Sequence, residues 1–271
     1  MKWIRFRRRP DGESVAFGIV EGDRVRMVSG HPLDSCAVGR ESIALSDVQP
    51  LAPFDSSKIV AVGLNYTDHI RELPRKGIDA ETPKEPVIFF KAPTALLASG
   101  DPILLPPESS RVEYESEIGF YVKRRARRVP LRDAADYIFG YTCVNDVTAR
   151  DIQRSDVQWT RGKSFDTFCP AGPVVETALD WRSAELQGIL NGRVVQSAKG
   201  GDMIFDPPTV LSYISQCFTL LPGDLVATGT CKGVGPLQSG DRIVVRVTGI
   251  GELENPVRLE KESAVPAAAL R

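Results

Sequence analysis

The sequence predicts a mainly β protein with few helices: a small β-rich N-terminal domain and linker at residues 1–57, then a larger domain at 58–271. Three observations carry that expectation. Short runs rich in Val, Ile, Tyr, Phe and Thr recur along the chain and close on Gly/Pro-rich turns. Few stretches have helical character. Strands and helices do not alternate regularly, which argues against a doubly wound sheet.

Taken in order, "KWIRFR", "SVAFGIV" and "RVRMV" read as strands joined by the turns "PDGE" and "EGD". A loop-rich segment follows, and "DVQPLAPFDSSK" at 47–58 reads as a linker. The larger unit opens with "KIVAVGL", and "PVIFFK" (86–91), "DPILLP" (101–106), "EYESEIGFYV" (113–122) and "IFGYTCVND" (138–146) are further strands. Helices are expected at "VTARDIQRSD" (147–156) and at "PPTVLSYISQCFTL" (207–220), whose leading prolines suit a first helical turn. "DLVATG" (224–229) and "DRIVVRVTGIGELENPV" (241–257) return to strand.

Composition excludes several classes of function. A net charge of -1 leaves no basic stripe for nucleic acid, and the densest basic run, "KRRARR" at 123–128, reads as a solvated turn. No apolar run of about 18 residues is present to span a membrane, and the basic N-terminus lacks the apolar stretch of a secretory signal. The five cysteines form no C-x-x-C pair. That pattern suits reduced thiols in a cytoplasm, with neither a disulfide frame nor a thiolate zinc site. With only two histidines, His31 and His69, a zinc held by several imidazoles is excluded. Any metal must be hard and oxygen-bound: Mg²⁺, Mn²⁺ or Ca²⁺.

One stretch invites such an ion. In "VEYESEIG" (112–119) an acid stands at every second position, so Glu113, Glu115 and Glu117 share one side of a strand. Like charges in that arrangement repel, so the face is either solvated or built for a cation. "VNDVTARD" (144–151) adds Asp146 at a strand end, where it either caps the following helix or supplies a third carboxylate.

From "VGLNYTDHIRE" through "VEYESEIG", "NDVTARD", "GKSFDTFCPAGP", "GDMIFDPP" and "LLPGDLVATGTCKGVG", residues 58–257 resemble the fumarylacetoacetate hydrolase superfamily. The small N-terminal unit resembles the one appended in the branch of 2-hydroxyhepta-2,4-diene-1,7-dioate isomerases and related bacterial enzymes. The resemblance implies a mixed β-sandwich roll, a homodimer, and Mg²⁺ or Mn²⁺ at the active site. Carried over by motif, the metal ligands are Glu115, Glu117 and Asp146, with Glu113 facing a polar neighbour and Asp68 outside the ligand set. His69 and Glu72, three apart on one helical turn, match a lid His-x-x-Glu that activates water. Lys163 matches a lysine facing the substrate's oxygens, and Arg150 and Gln153 match substrate contacts. "TGTCKGVG" (228–235) resembles the family's T-G-T-P-x-G-V-G loop, where Thr230 and backbone N–H groups such as that of Gly229 bind a carboxylate. Cys231 replaces the usual proline, and no histidine stands near it in sequence to make it a nucleophile.

The resemblance therefore implies a divalent-metal enzyme acting on 2-oxo acids through a metal-bound enolate. The paired His69 and Glu72 favour C–C hydrolysis of acylpyruvate-type β-diketo acids. The N-terminal unit pulls toward isomerisation of a 2-hydroxyhepta-2,4-diene-1,7-dioate or decarboxylation of oxaloacetate. A binding protein on a retired enzyme fold is the reading from another class; the full set of ligands, base and lysine weighs against it.

Overall fold

The computed structural model describes residues 1–9, 12, 14–72 and 81–260. Most of the turn expected at 10–13, the segment after Glu72 and the last residues of the expected larger domain lie outside them. The described chain is mainly β, in sheets of twelve, three and five strands. The sheets are mixed: most neighbours run antiparallel, but Ile59–Gly63 lies parallel to Leu225–Ala227, and Ile103–Leu105 parallel to Gly251–Leu259.

The N-terminal strands Lys2–Arg8, Val15–Glu21, Arg24–Gly30 and Cys36–Ala44 form a meander. It continues the large sheet directly, because Lys2 and Trp3 pair with Glu176 and Val175. The segment expected as a linker contains a strand, Val48–Pro50, which pairs with Lys2–Arg8. Pro50 is tolerated there because a short flanking strand can leave one ladder position without a donor.

Beyond Cys169–Glu176 the large sheet runs through Ile138–Asn145, Ser116–Val122, Leu225–Ala227, Ile59–Gly63 and Val87–Lys91. Ser116–Val122 is buried throughout. Alternation sorts its side chains between two cores: Ile118, Phe120 and Val122 enter one apolar cluster, and Tyr121 the other. The register brings four strand ends to one edge. Ser116 faces Asn145, Gly119 faces Ala227, and Ala227 lies beside Ala61, two residues before that strand ends.

Both expected helices form, and both are shorter than expected. Arg150–Ser155 begins late because Thr148 and Ala149 pair with Glu113 and Val112 as a short strand. Pro207–Cys217 is capped by Asp206, whose Oδ1 accepts the Thr209 N–H at 2.9 Å. Its other end meets the basic run. Arg127 Nη1 donates to the carbonyls of Ser215 and Gln216 at 2.8 and 2.9 Å, and the Arg128 N–H donates to Ser215 at 2.8 Å. The turn at 123–128 therefore caps a helix, with cations at its negative end.

Asp224 pins the strands that lead to the site. Fully buried, it accepts from Lys58 Nζ at 2.6 Å, the Ser57 hydroxyl at 2.6 Å, the Leu221 N–H at 2.6 Å and the Lys58 N–H at 3.2 Å. These bonds fix the starts of Ile59–Gly63 and Leu225–Ala227 side by side. Asp224→Ala strands several donors and should lower unfolding stability by about 2 kcal/mol or more. A denaturant titration that leaves the midpoint unmoved would contradict this role.

Candidate active site

The acidic stretch is not one strand. Val112–Tyr114 belongs to the three-stranded sheet with Thr148–Ala149 and Gly235–Pro236, whereas Ser116–Val122 belongs to the large sheet. Glu115 falls in the gap. Its N–H donates to Asn145 Oδ1 at 2.9 Å, and its carbonyl accepts the Asp146 N–H at 2.8 Å. The expectation that three acids share one face is corrected here, because alternation does not continue through a residue that passes between sheets. Glu113 turns away to Arg111 Nε and Arg150 Nε, both at 2.7 Å. Glu115, Glu117 and Asp146 converge, with one oxygen from each within 4.8 Å of the others, and all three are buried.

Cations close around them. Lys163 Nζ donates to Glu115 Oε2 at 2.7 Å and to Asp146 Oδ2 at 2.6 Å. Lys91 Nζ reaches Asp146 Oδ1 at 2.6 Å and the Val147 carbonyl at 3.2 Å. Arg150 joins both sides of the strand break through Glu113 and Glu115, and donates to Gln153 Oε1 at 2.6 Å. Lys91 was not among the residues expected from sequence. A lysine closing "PVIFFK" reads as a strand-end residue, yet it is 1% exposed. Asn145 was missed for the same reason: its task is set by a residue far away in the chain.

The cations sit on three of the four acids: Arg111, Lys91, Arg150 and Lys163 pair with Glu113, Glu115 and Asp146, and none of them bonds Glu117. Their distribution is uneven. Burial pushes the Glu115 carboxyl up, but Lys163 and Arg150 outweigh it and hold the group well below the usual range. Burial pushes Glu117 up as well, and Asp146 and Glu115 push it further. Among the described residues its one hydrogen bond is from the Gly229 N–H, at 2.8 Å. Glu117 is thus the acid with least compensation. The spacing and the hard oxygen donors fit a divalent cation, which Glu115, Glu117 and Asp146 would hold.

His69 lies in the helix Thr67–Glu72 and is buried. Its Nδ1 is 3.9 Å from Glu72 Oε2, beyond hydrogen-bond length. That oxygen accepts the Gly233 N–H at 3.0 Å, so Glu72 is docked on the 228–235 loop. Asp68 stays outside the acid cluster and accepts the Lys232 N–H at 3.4 Å.

The loop itself is used differently from expectation. The Thr230 hydroxyl donates to the Ser116 carbonyl at 2.9 Å and accepts from Gln196 Nε2 at 2.8 Å, and the Gly229 N–H is committed to Glu117. Both groups brace the acid strand. Gln153, with its oxygen on Arg150, positions that guanidinium. Cys231 is fully buried, and burial, with Asp68 nearby, pushes its thiol up to about 12. A thiol so held is no nucleophile at neutral pH.

A mixed β fold with converging acids, lysines and a histidine defines a class. Residues 58–258 match the family model described as "Fumarylacetoacetate (FAA) hydrolase C-terminal", and residues 1–53 match "Rv2993c-like, N-terminal". The chain belongs to the fumarylacetoacetate hydrolase family. It is 43% identical over 258 residues to Protein Rv2993c of Mycobacterium tuberculosis, covering 92% of this chain and 95% of that one. It is 37% identical over 233 residues to oxaloacetate tautomerase YisK of Bacillus subtilis, covering 81% and 76%. Among solved structures, a 2-hydroxyhepta-2,4-diene-1,7-dioate isomerase from Mycobacterium marinum superposes with a TM-score of 0.87 at 41% identity, over 97% of this chain and all of the other. Maleylpyruvate hydrolase from Sphingobium sp. SYK-6, in complex with manganese(II) and pyruvate, superposes with a TM-score of 0.76 at 28% identity, over 96% and all of the other. Isomerases, tautomerases and hydrolases are thus all represented among the similar proteins. No helix among the described residues is long and apolar enough to cross a membrane.

The two outer acids should separate cleanly. Glu117→Ala should weaken Mn²⁺ binding about a hundredfold by calorimetry, whereas Glu113→Gln should keep it within about threefold. Equal losses in the two variants would mean that Glu113 belongs to the ligand set.

Proposed function

We propose that this chain is a divalent-metal-dependent enzyme of 2-oxo acids that moves a proton between carbon and oxygen of an enolisable substrate, as a tautomerase or isomerase. The observation that carries this reading is that His69 is buried beside the acid cluster while Glu72, 3.9 Å from its Nδ1, is docked on the Gly233 N–H. A divalent ion held by Glu115, Glu117 and Asp146 adds two positive charges to a cluster in which Glu115 and Asp146 already carry cations. A 2-oxo acid supplies the complement, one charge on its carboxylate and one that develops on the 2-oxo oxygen as a proton leaves C3. When bound, Mg²⁺ or Mn²⁺ supplies Lewis acidity at that oxygen.

The chain's own residues do the rest. Lys163, whose ammonium is already aimed into the cluster, stabilises the developing charge. Lys91 and Arg150 hold Asp146 and Glu115 in place as the charge shifts. His69, buried beside the cluster and near enough to help lower Glu115, takes and returns the proton. Similarity to an oxaloacetate tautomerase and to a dienedioate isomerase supports this reaction class.

A second reading, C–C hydrolysis of an acylpyruvate-type substrate, is favoured by one observation: Glu72 lies 3.9 Å from His69 on the same turn, where a modest shift would let it orient the imidazole toward water. Similarity to a maleylpyruvate hydrolase supports it.

The enol form of oxaloacetate, followed by its ultraviolet absorbance, tests the first reading. With Mg²⁺ or Mn²⁺ the protein should speed ketonisation, excess EDTA should abolish the effect, and His69→Ala should lower the maximal rate about a hundredfold. If enol decay is untouched while acetylpyruvate in ¹⁸O-labelled water yields labelled acetate, the hydrolase reading replaces it.

A further inference from the structure

Lys163 bridges two members of the acid cluster, and an aromatic ring covers another side of it. The Phe89 centroid lies 5.0 Å from its Nζ, a distance at which the negative ring face attracts an ammonium. Phe89 is only partly buried: one side packs against an apolar core cluster, and the other needs cover. Trp159 supplies it. The two rings stand edge to face, with centroids 5.3 Å apart at 73°. The Trp159 carbonyl also accepts the Lys163 N–H at 3.0 Å, which sets Trp159 one helical turn before the lysine.

Trp159 also rests on Gly63, the last residue of Ile59–Gly63, where the Phe89 ring edge is close by. A Cβ at that position would lie 2.8 Å from Trp159 Cζ3 and 3.2 Å from Cη2, so any larger residue there must displace the indole. Trp159 joins neither apolar core cluster and is partly exposed. Core packing therefore gives no account of a tryptophan held so closely. The contacts all lead to Phe89 and, through it, to Lys163.

We propose that Trp159 is a positioning residue for Lys163, clamped by Gly63 and acting through Phe89 to keep the ammonium aimed at the substrate's oxygens. With the indole edge gone, the Phe89 ring keeps its packing on the core side but loses its cover on the other, water reaches the ammonium, and Lys163 is held by Glu115 and Asp146 alone. The inference rests on the reading that a 2-oxo acid binds beside Lys163 on a metal held by the acid cluster.

The test uses Mn²⁺ and oxalate, a dianion shaped like the enolate of a 2-oxo acid, with affinities measured by calorimetry on the full chain. Mn²⁺ affinity should stay within about threefold of wild type in Trp159→Ala and Gly63→Ala, because neither touches a ligand. Oxalate binding to the Mn²⁺-loaded protein should weaken about fivefold to tenfold in both, and Trp159→Phe should restore most of it. Gly63→Ala reaches the same outcome by pushing the ring instead of deleting it, so a folding defect in one variant does not decide the matter. On a Lys163→Met background, Trp159→Ala should cost nothing further, since the group it positions is already gone. Unchanged oxalate affinity in folded Trp159→Ala, or a fully additive loss in the double variant, overturns the proposal. If wild type shows no Mn²⁺-dependent oxalate binding, the reading of the site falls, and the proposal with it.

Discussion

The structure is organised around the cost of burying four carboxylates in one place. Each loses solvation worth several kcal/mol, which only close cations and hydrogen bonds can offset. Arg150 does this across the break in the acid strand, joined to Glu113 on one side and Glu115 on the other. Asn145 fixes the break itself by accepting the Glu115 N–H. Lys91 and Lys163 then take both oxygens of Asp146, one each. Backbone pairing brings the ends of these strands to one edge, and the network is what lets four carboxylates be buried there.

That constraint also explains where the two apolar clusters lie. A strand carrying Glu117 toward a charged pocket must be anchored by its neighbours, and Ser116–Val122 is buried on both faces. Ile118 and Phe120 alternate into one core while Tyr121 enters the other, so the strand cannot rotate or slip without exposing one set. Asp224 secures the far end of the adjoining pair of strands. The rigidity that positions the carboxylates is thus apolar in origin, and the polar network decides only what that rigid frame presents.

Local patterns were legible in the sequence to the extent that their causes are local. Runs such as "KIVAVGL" and "DLVATG" became Ile59–Gly63 and Leu225–Ala227 because β-branched residues sit between turn formers. The acid set was visible as residue types, and resemblance to a known family separated Glu113 from the others. The physical reason for that separation was not visible. Period-two alternation assumes an unbroken strand, and the break at Glu115 depends on Asn145, thirty residues away. Lys91 was hidden in the same way, since pairing across 55 residues turns a strand-end lysine into a buried partner of Asp146. The strand Val48–Pro50 was read as linker because its pairing with Lys2–Arg8 is set by distant residues and its proline is a turn signal.

If His69 is the base, as proposed, what distinguishes one reaction from another lies outside the inner charge set, in the link between the helix Thr67–Glu72 and the 228–235 loop. The Gly229 N–H holds Glu117, and the Gly233 N–H holds Glu72 Oε2, so one short loop touches both the acid cluster and the partner of His69. A carboxylate oxygen accepts more than one hydrogen bond, so Glu72 need not release Gly233 to reach His69; it can pivot on that contact. Closing the 3.9 Å gap takes about an ångström of movement. With the gap open, His69 can still carry a proton between substrate atoms, which asks only for basicity and reach. With it closed, the imidazole acquires a fixed tautomer and the added basicity that activating water demands. Proton transfer and hydrolysis can therefore share every buried charge of this site and differ in whether one loop-bound carboxylate swings onto one histidine.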